Sequence, residues 1–142
     1  MALYFTLKEL CASDTAKKRN IDNFPTFEIA ANLKVLTDRV LDPLRMAWGS
    51  AIRVTSGYRS EALNTAIGGS KTSVHRYGFA ADLQPVNGMT DSFIRFTKKW
   101  LEDNHIAYDQ LIRETKNGKL WMHFGLYGPK RQQRCQYLEI NA

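Results

Sequence analysis

The dipeptide Asn117-Gly118 constrains the fold of this chain more than any other feature. It stands between two runs with strand character, Asp109 to Thr115 and Lys119 to Gly125. Asparagine and glycine both tolerate the positive φ of a type I′ turn, which joins antiparallel strands through two residues. With this dipeptide as the whole loop, only one register is open. Lys116 opposes Lys119, Glu114 opposes Trp121 and Ile112 opposes His123. Opposed residues point to the same face of a sheet, so Glu114, Trp121 and His123 share one face. Glu114 and His123 become diagonal neighbours, about 7–8 Å apart.

Other elements follow from periodicity and caps. Thr6-Leu7-Lys8-Glu9 has the form of a capping box, so a short helix should follow and end near Ser13. Asn20 to Pro25 reads as a loop. Ile29, Leu33, Leu36, Val40 and Leu44 recur at steps of three and four, the mark of a long helix with one apolar stripe. Pro43 should kink or restart that helix, because it lacks an amide hydrogen. Gly49 should end it. Ile52 to Ser56 and Phe79 to Gln84 read as strands. Ser60 should cap a short helix ending at Gly68-Gly69. Thr90 should cap another that carries Phe93, Phe96, Trp100 and Leu101. Helices lead and hairpin-linked strands dominate the second half. The expected class is α+β, N-terminal helices on a small, mainly antiparallel sheet, in a single domain over residues 1–142.

Composition narrows the possible functions. No stretch is long and apolar enough to span a bilayer. The first ten residues lack the basic and apolar regions of a secretory signal, so synthesis in the cytoplasm without a signal peptide is expected. Cys11 and Cys135 are far apart and should be free thiols. The net charge is +6, concentrated in Lys17-Lys18-Arg19 and in Lys130-Arg131 with Arg134. Such a surface favours anionic partners. No nucleic-acid motif accompanies the charge, so nucleic acid is not expected among them. Gly68-Gly69 lacks the Lys-Ser/Thr sequel of a phosphate loop. A monomer is expected.

The chemistry concentrates in two strings, Ser73-Val74-His75-Arg76-Tyr77-Gly78-Phe79-Ala80-Ala81-Asp82 and Trp121-Met122-His123. They offer two imidazoles and one carboxylate, a ligand set that suits Zn2+ and leaves a fourth position open. Gly78 permits the sharp turn needed between His75 and Asp82. Spacing alone also allows a capped loop histidine, an aspartate in a salt bridge and a core histidine. His105 has no partner at ligand spacing. Trp121 either walls the same face or belongs to the core, and Tyr58 either donates to a substrate or packs its turn.

Ser-x-His-x-x-Gly-x-Ala-x-Asp followed by Trp-x-His resembles the zinc D-alanyl-D-alanine carboxypeptidases and L-alanyl-D-glutamate endopeptidases, a family with the Hedgehog/DD-peptidase fold. Val54-Thr55-Ser56-Gly57-Tyr58-Arg59-Ser60 is similar to the family's Ser-Gly-Tyr-Arg element. Leu63-Asn64 with Ile67-Gly68-Gly69-Ser70 is similar to the family's stretch before the first histidine, whereas Asp109-Gln110-Leu111-Ile112-x-Glu114, Phe5-Thr6-Leu7-Lys8-Glu9-Leu10 and Asn32-Leu33 resemble its phage-type branch. The resemblance implies that His75, Asp82 and His123 hold zinc. It implies that Arg59 binds substrate and steadies a developing oxyanion, and that Ser73 lies near the substrate. The implied reaction is hydrolysis of amide bonds in peptidoglycan stem peptides, by a carboxypeptidase or an endolysin-type endopeptidase of phage or prophage. An anionic cell-wall polymer is a possible second partner. Such a protein would act on the wall after release or as part of a phage particle. One position departs from the pattern. Many relatives place an acid three residues before the last histidine, where this chain has Leu120. The hairpin register offers Glu114 as the base instead. Asp109, at the far end of its strand, is a poorer candidate. Leu120 also keeps open a catalytically weak or inactive wall-binding module on the same fold.

Overall fold

A computed structural model describes residues 4–141. The chain runs through α1 (Leu7–Cys11), α2 (Asp14–Lys18), α3 (Phe27–Leu36), a π-helical turn (Thr37–Leu41) and α4 (Asp42–Trp48). Then come β1 (Ile52–Ser56), α5 (Glu61–Ala66), a 3-10 turn (Val74–Tyr77), β2 (Ala80–Pro85) and α6 (Thr90–Asp103). Three strands close it: β3 (Gln110–Lys116), β4 (Lys119–Gly125) and β5 (Gln136–Asn141). The sheet has five strands in the order β1-β2-β4-β3-β5. All neighbours are antiparallel except β5, which runs parallel to β3. The α+β class and the mainly antiparallel sheet are as expected. The strand β5 was not anticipated. Its residues are mostly exposed and have no clean alternation, because an edge strand buries little.

The central hairpin has the register that its turn dictates. Asn117 and Gly118 have φ of 51° and 76°. Lys116 pairs with Lys119, Glu114 with Trp121 and Ile112 with His123. Alternation then separates the two faces of the sheet. Ala81, Leu83, Leu111, Met122 and Phe124 point to the core, against Leu33, Leu36, Val40 and Leu44 of the long helical segment and Phe93 and Leu101 of α6. Trp48 closes one end of this layer, 5.2 Å between ring centroids from both Phe93 and Phe96. The opposite face carries Asp82, Ile112, Glu114 and His123.

Local expectations hold in kind, with shifts at several element ends. Thr6 caps α1 by accepting from the Glu9 amide, but α1 ends at Cys11. Ser13 instead opens α2, accepting from the Ala16 amide. Pro43 marks a restart of the long helix, as expected. It lies in the first turn of α4, and the turn before it widens so that the Asp42 N–H reaches Thr37 O. Since Pro43 cannot bond back four residues, a π-helical turn lets the helix pass the missing donor. Met89, not Thr90, holds the cap position of α6, because Met89 O already accepts from the Phe93 amide at 2.9 Å. Asn87 supports this start, its Oδ1 accepting from the Met89 amide. Gly49 ends α4 in the left-handed region, φ 77°.

The chain between β4 and β5 turns back beside the site. Asp109, buried at the start of β3, anchors it. Arg134 donates to its carboxylate from the backbone N (3.1 Å), Nε (2.8 Å) and Nη2 (2.8 Å). So Arg134, counted in the sequence as surface charge, is committed to an ion pair. Both cysteines are free thiols. Burial would raise the Asp109 carboxyl, but the Arg134 hydrogen bonds and charge outweigh it and hold it below the usual carboxylate range. Asp109→Asn should therefore cost about 2 kcal/mol of stability at neutral pH. A depressed folded pKa contributes stability above the unfolded value, about 3.9, and loses it as pH falls through the folded one. Denaturant titrations of wild type and variant should converge in that acid window.

Candidate metal centre

One transverse row of the sheet builds the site. Ser56 of β1 pairs with Asp82 of β2, Asp82 with His123 of β4, and His123 with Ile112 of β3. Register alone therefore sets a carboxylate beside an imidazole. His75 comes from the 3-10 turn that precedes β2. Ser73 caps this turn, its Oγ accepting from the His75 amide at 3.3 Å. Gly78 ends it with φ 77°, where an added Cβ would lie 3.0 Å from Ile29 O. Glycine is thus required both for the turn and for the close approach of α3.

His75, Asp82 and His123 are all buried, and one potential ligand atom of each lies within 4.8 Å of the others. Asp82 Oδ1 is 3.0 Å from His123 Nδ1 and 3.3 Å from His75 Nε2. On its far side, His75 Nδ1 is 2.7 Å from Gly57 O. A carbonyl only accepts, so Nδ1 carries the hydrogen and Nε2 presents its lone pair to the centre. Burial pushes the His75 imidazolium below its usual range, against the pull of Asp82. The neutral ring that results is the ligating form. Burial would raise the Asp82 carboxyl, but the two histidines beside it hold it well below the usual range.

The trio opens on a cleft of about 580 Å³. Arg59, Ser73, Ile112 and Glu114 line one part of it, and Lys130, Gln132 and Arg134 another. Arg59 is fixed by Nε donating to Ser56 Oγ at 3.0 Å and Nη2 to Asp82 Oδ2 at 3.3 Å. Glu114 is half-buried and forms no ion pair with any described residue. Burial, then the Asp82 charge, raises its carboxyl above the ordinary range, and His123 and Arg59 offset this in part.

The sequence profile described as peptidase M15 matches residues 3–114. The chain belongs to this family. The match takes in His75 and Asp82 and ends at Glu114, so His123 lies beyond it. No curated protein sequence matches the chain. M15 peptidases are zinc enzymes, and the donor set here suits such an ion: two nitrogens and an oxygen, buried, close together, with the outer nitrogen of His75 already bonded to a carbonyl.

Most residues expected at an M15 site converge on this cleft. Tyr58 is placed differently. It does not line the cleft, and its ring is buried in the core cluster. The Tyr58 backbone is pinned instead, with N–H donating to Leu10 O at 2.7 Å. Ser73 does line the cleft, with its hydroxyl engaged in the cap. Trp121 stands opposite Glu114 but is not a lining residue, and its indole N–H works with His123 and Arg59 to lower the Glu114 carboxyl against the burial that raises it. Leu120 packs against the core, on the face of Met122 and Phe124. In this regular strand an acid at position 120 would face away from the metal ligands.

Two supporting residues escaped the sequence reading. Asn23 donates Nδ2 to Cys11 O (2.8 Å) and Tyr58 O (3.0 Å), and its Oδ1 accepts from the Ser60 amide (2.7 Å). It staples the turn that carries Arg59 to the N-terminal helices. Gly57 lies so close to α1 that an added Cβ would fall 2.1 Å from Leu10 O. Its place in Ser-Gly-Tyr-Arg was the one available signal, whereas Asn23 sits in a loop without pattern. Gly57→Ala should displace the carbonyl that orients His75. Zinc affinity, measured by competition with a chelating dye, should fall about 10–100-fold.

Proposed function

We propose that this M15 peptidase hydrolyses amide bonds in peptidoglycan stem peptides, as a carboxypeptidase or as an endolysin-type endopeptidase. One observation carries the catalytic reading: Glu114, a carboxylate without an ion-pair partner among the described residues, lines the same cleft as the His75–Asp82–His123 trio and Arg59. His75, Asp82 and His123 would hold a zinc ion, which would supply Lewis-acid polarisation of the scissile carbonyl and lower the pKa of a water to about 7.

The chain's own groups perform the rest. Glu114 accepts a proton from the attacking water and passes it to the leaving amine. Its half-buried setting favours both events, because a raised carboxyl pKa lets it hold the proton between them. Arg59 keeps its charge at any working pH and presents a fork of donors. Anchored by Ser56 and Asp82, it offers remaining N–H groups to the substrate and to the oxyanion that forms. Ser73 borders the substrate.

The peptidoglycan substrate, the phage or prophage setting and action at the wall rest on the sequence resemblance. Exposed Lys17, Lys18 and Arg19 would assist docking on an anionic wall polymer, and salt should weaken that docking. We read the working unit as a monomer.

Glu114→Gln decides the catalytic assignment. Hydrolysis of purified peptidoglycan should fall at least about 100-fold while bound zinc stays unchanged by metal analysis. Masses of the released fragments distinguish loss of a terminal D-alanine from internal cleavage. A zinc-loaded wild type that releases nothing would replace this reading with that of a wall-binding module.

A further inference from the structure

We propose that Lys130 binds a carboxylate of the peptide substrate, an inference that rests on the function proposed above and specifies how its cleft selects a ligand. The argument begins with the segment between β4 and β5, where successive side chains are used internally. The Arg131 guanidinium lies over the Phe79 ring, 5.3 Å from its centroid. Gln132 Oε1 accepts from the Lys130 amide at 2.8 Å. Gln133 Nε2 donates to Ala107 O (3.1 Å) and Leu126 O (3.2 Å). Arg134 is bound to Asp109. Backbone bonds from Gly128 N to Gln132 O and from Arg131 N to Gly128 O, both 2.9 Å, tighten the loop further. Arg131 is held at φ 57°, which a non-glycine residue adopts only where its surroundings impose it.

The side chain of Lys130 is the exception. It lines the cleft and has no ion pair or hydrogen bond among the described residues. Charge accounting leads to the same residue. Of the other cations in the cleft wall, Arg59 is paired with Asp82 and Arg134 with Asp109. Two charged groups outside the metal trio remain without ion-pair partners, Glu114 and Lys130. Glu114 is assigned to proton transfer. Lys130 is left as an uncompensated positive charge on a fixed backbone. An ammonium group is a compact charge with three donors, able to pair with a carboxylate oxygen. The matched M15 region ends at residue 114, and this wall lies beyond it.

Stem peptides offer carboxylates at the glutamyl residue and at the C terminus. The test uses the pentapeptide L-Ala-γ-D-Glu-L-Lys-D-Ala-D-Ala in four forms, with each carboxylate free or amidated. Its affinity for the zinc-loaded protein is measured calorimetrically on a Glu114→Gln background, where cleavage is suppressed. Lys130→Met should weaken binding of the free peptide about tenfold, and Lys130→Arg should restore most of it. Amidation of the recognised carboxylate should cost the same factor in the parent and nothing more in Lys130→Met. The peptide that behaves so identifies which carboxylate is read. Equal loss for all four peptides, or no loss for any, overturns the proposal. Coupling between Lys130 and one carboxylate, in a protein whose Glu114 form cuts nothing, would leave this inference standing and remove the hydrolytic function. Cleavage by wild type without such coupling would do the reverse.

Discussion

The Asp82 carboxylate is taken out of water at the centre of a sheet, and the structure around it is arranged to bear that charge. A buried anion is tolerated only with opposite charge and hydrogen bonds at good geometry. The Arg59 guanidinium supplies charge and a hydrogen bond, and His123 Nδ1 lies 3.0 Å from Oδ1. Because Asp82 pairs with Ser56 of β1 and with His123 of β4, it cannot move without disturbing both. The arrangement suits a metal for the same reason: an ion held between His75, Asp82 and His123 would add the positive charge that this buried carboxylate calls for.

The N-terminal helices matter to this centre although none contributes a ligand. α1 meets the Gly57–Tyr58 turn through Leu10 O, and Asn23 links the same turn to Cys11. That turn holds His75 by its outer nitrogen and leads into Arg59. Packing in the helical layer is thus converted into the orientation of one ring and one guanidinium. The long helical segment contributes from the other side, where Ile29 leaves room only for glycine at position 78.

The sequence revealed those parts of the molecule that local chemistry decides. The Asn117-Gly118 turn fixes its register within two residues, so the pairing of Glu114, Trp121 and His123 could be worked out without other information. The three candidate ligands were legible because their residue types are distinctive and the fold resemblance brought them together. The rest depends on contacts between distant segments. The widened turn before Pro43 reflects a helix kept continuous by core packing. Tyr58 could have faced either way until the position of α1 was known. Asn23 acts on residues more than thirty positions away in the chain, and β5 is an edge strand whose place is set by β3 rather than by its own pattern.

The parallel pairing of β5 with β3 has one more consequence. A strand that returns in parallel cannot be joined by a tight turn, so the intervening chain must travel back along the sheet. Here that return path passes the mouth of the cleft. The hairpin bearing Glu114 and His123 is complete before this path begins. The metal-ligand hairpin and the segment that forms the other wall of the cleft are therefore consecutive but separable lengths of polypeptide, and the second can vary in sequence while the first keeps its geometry.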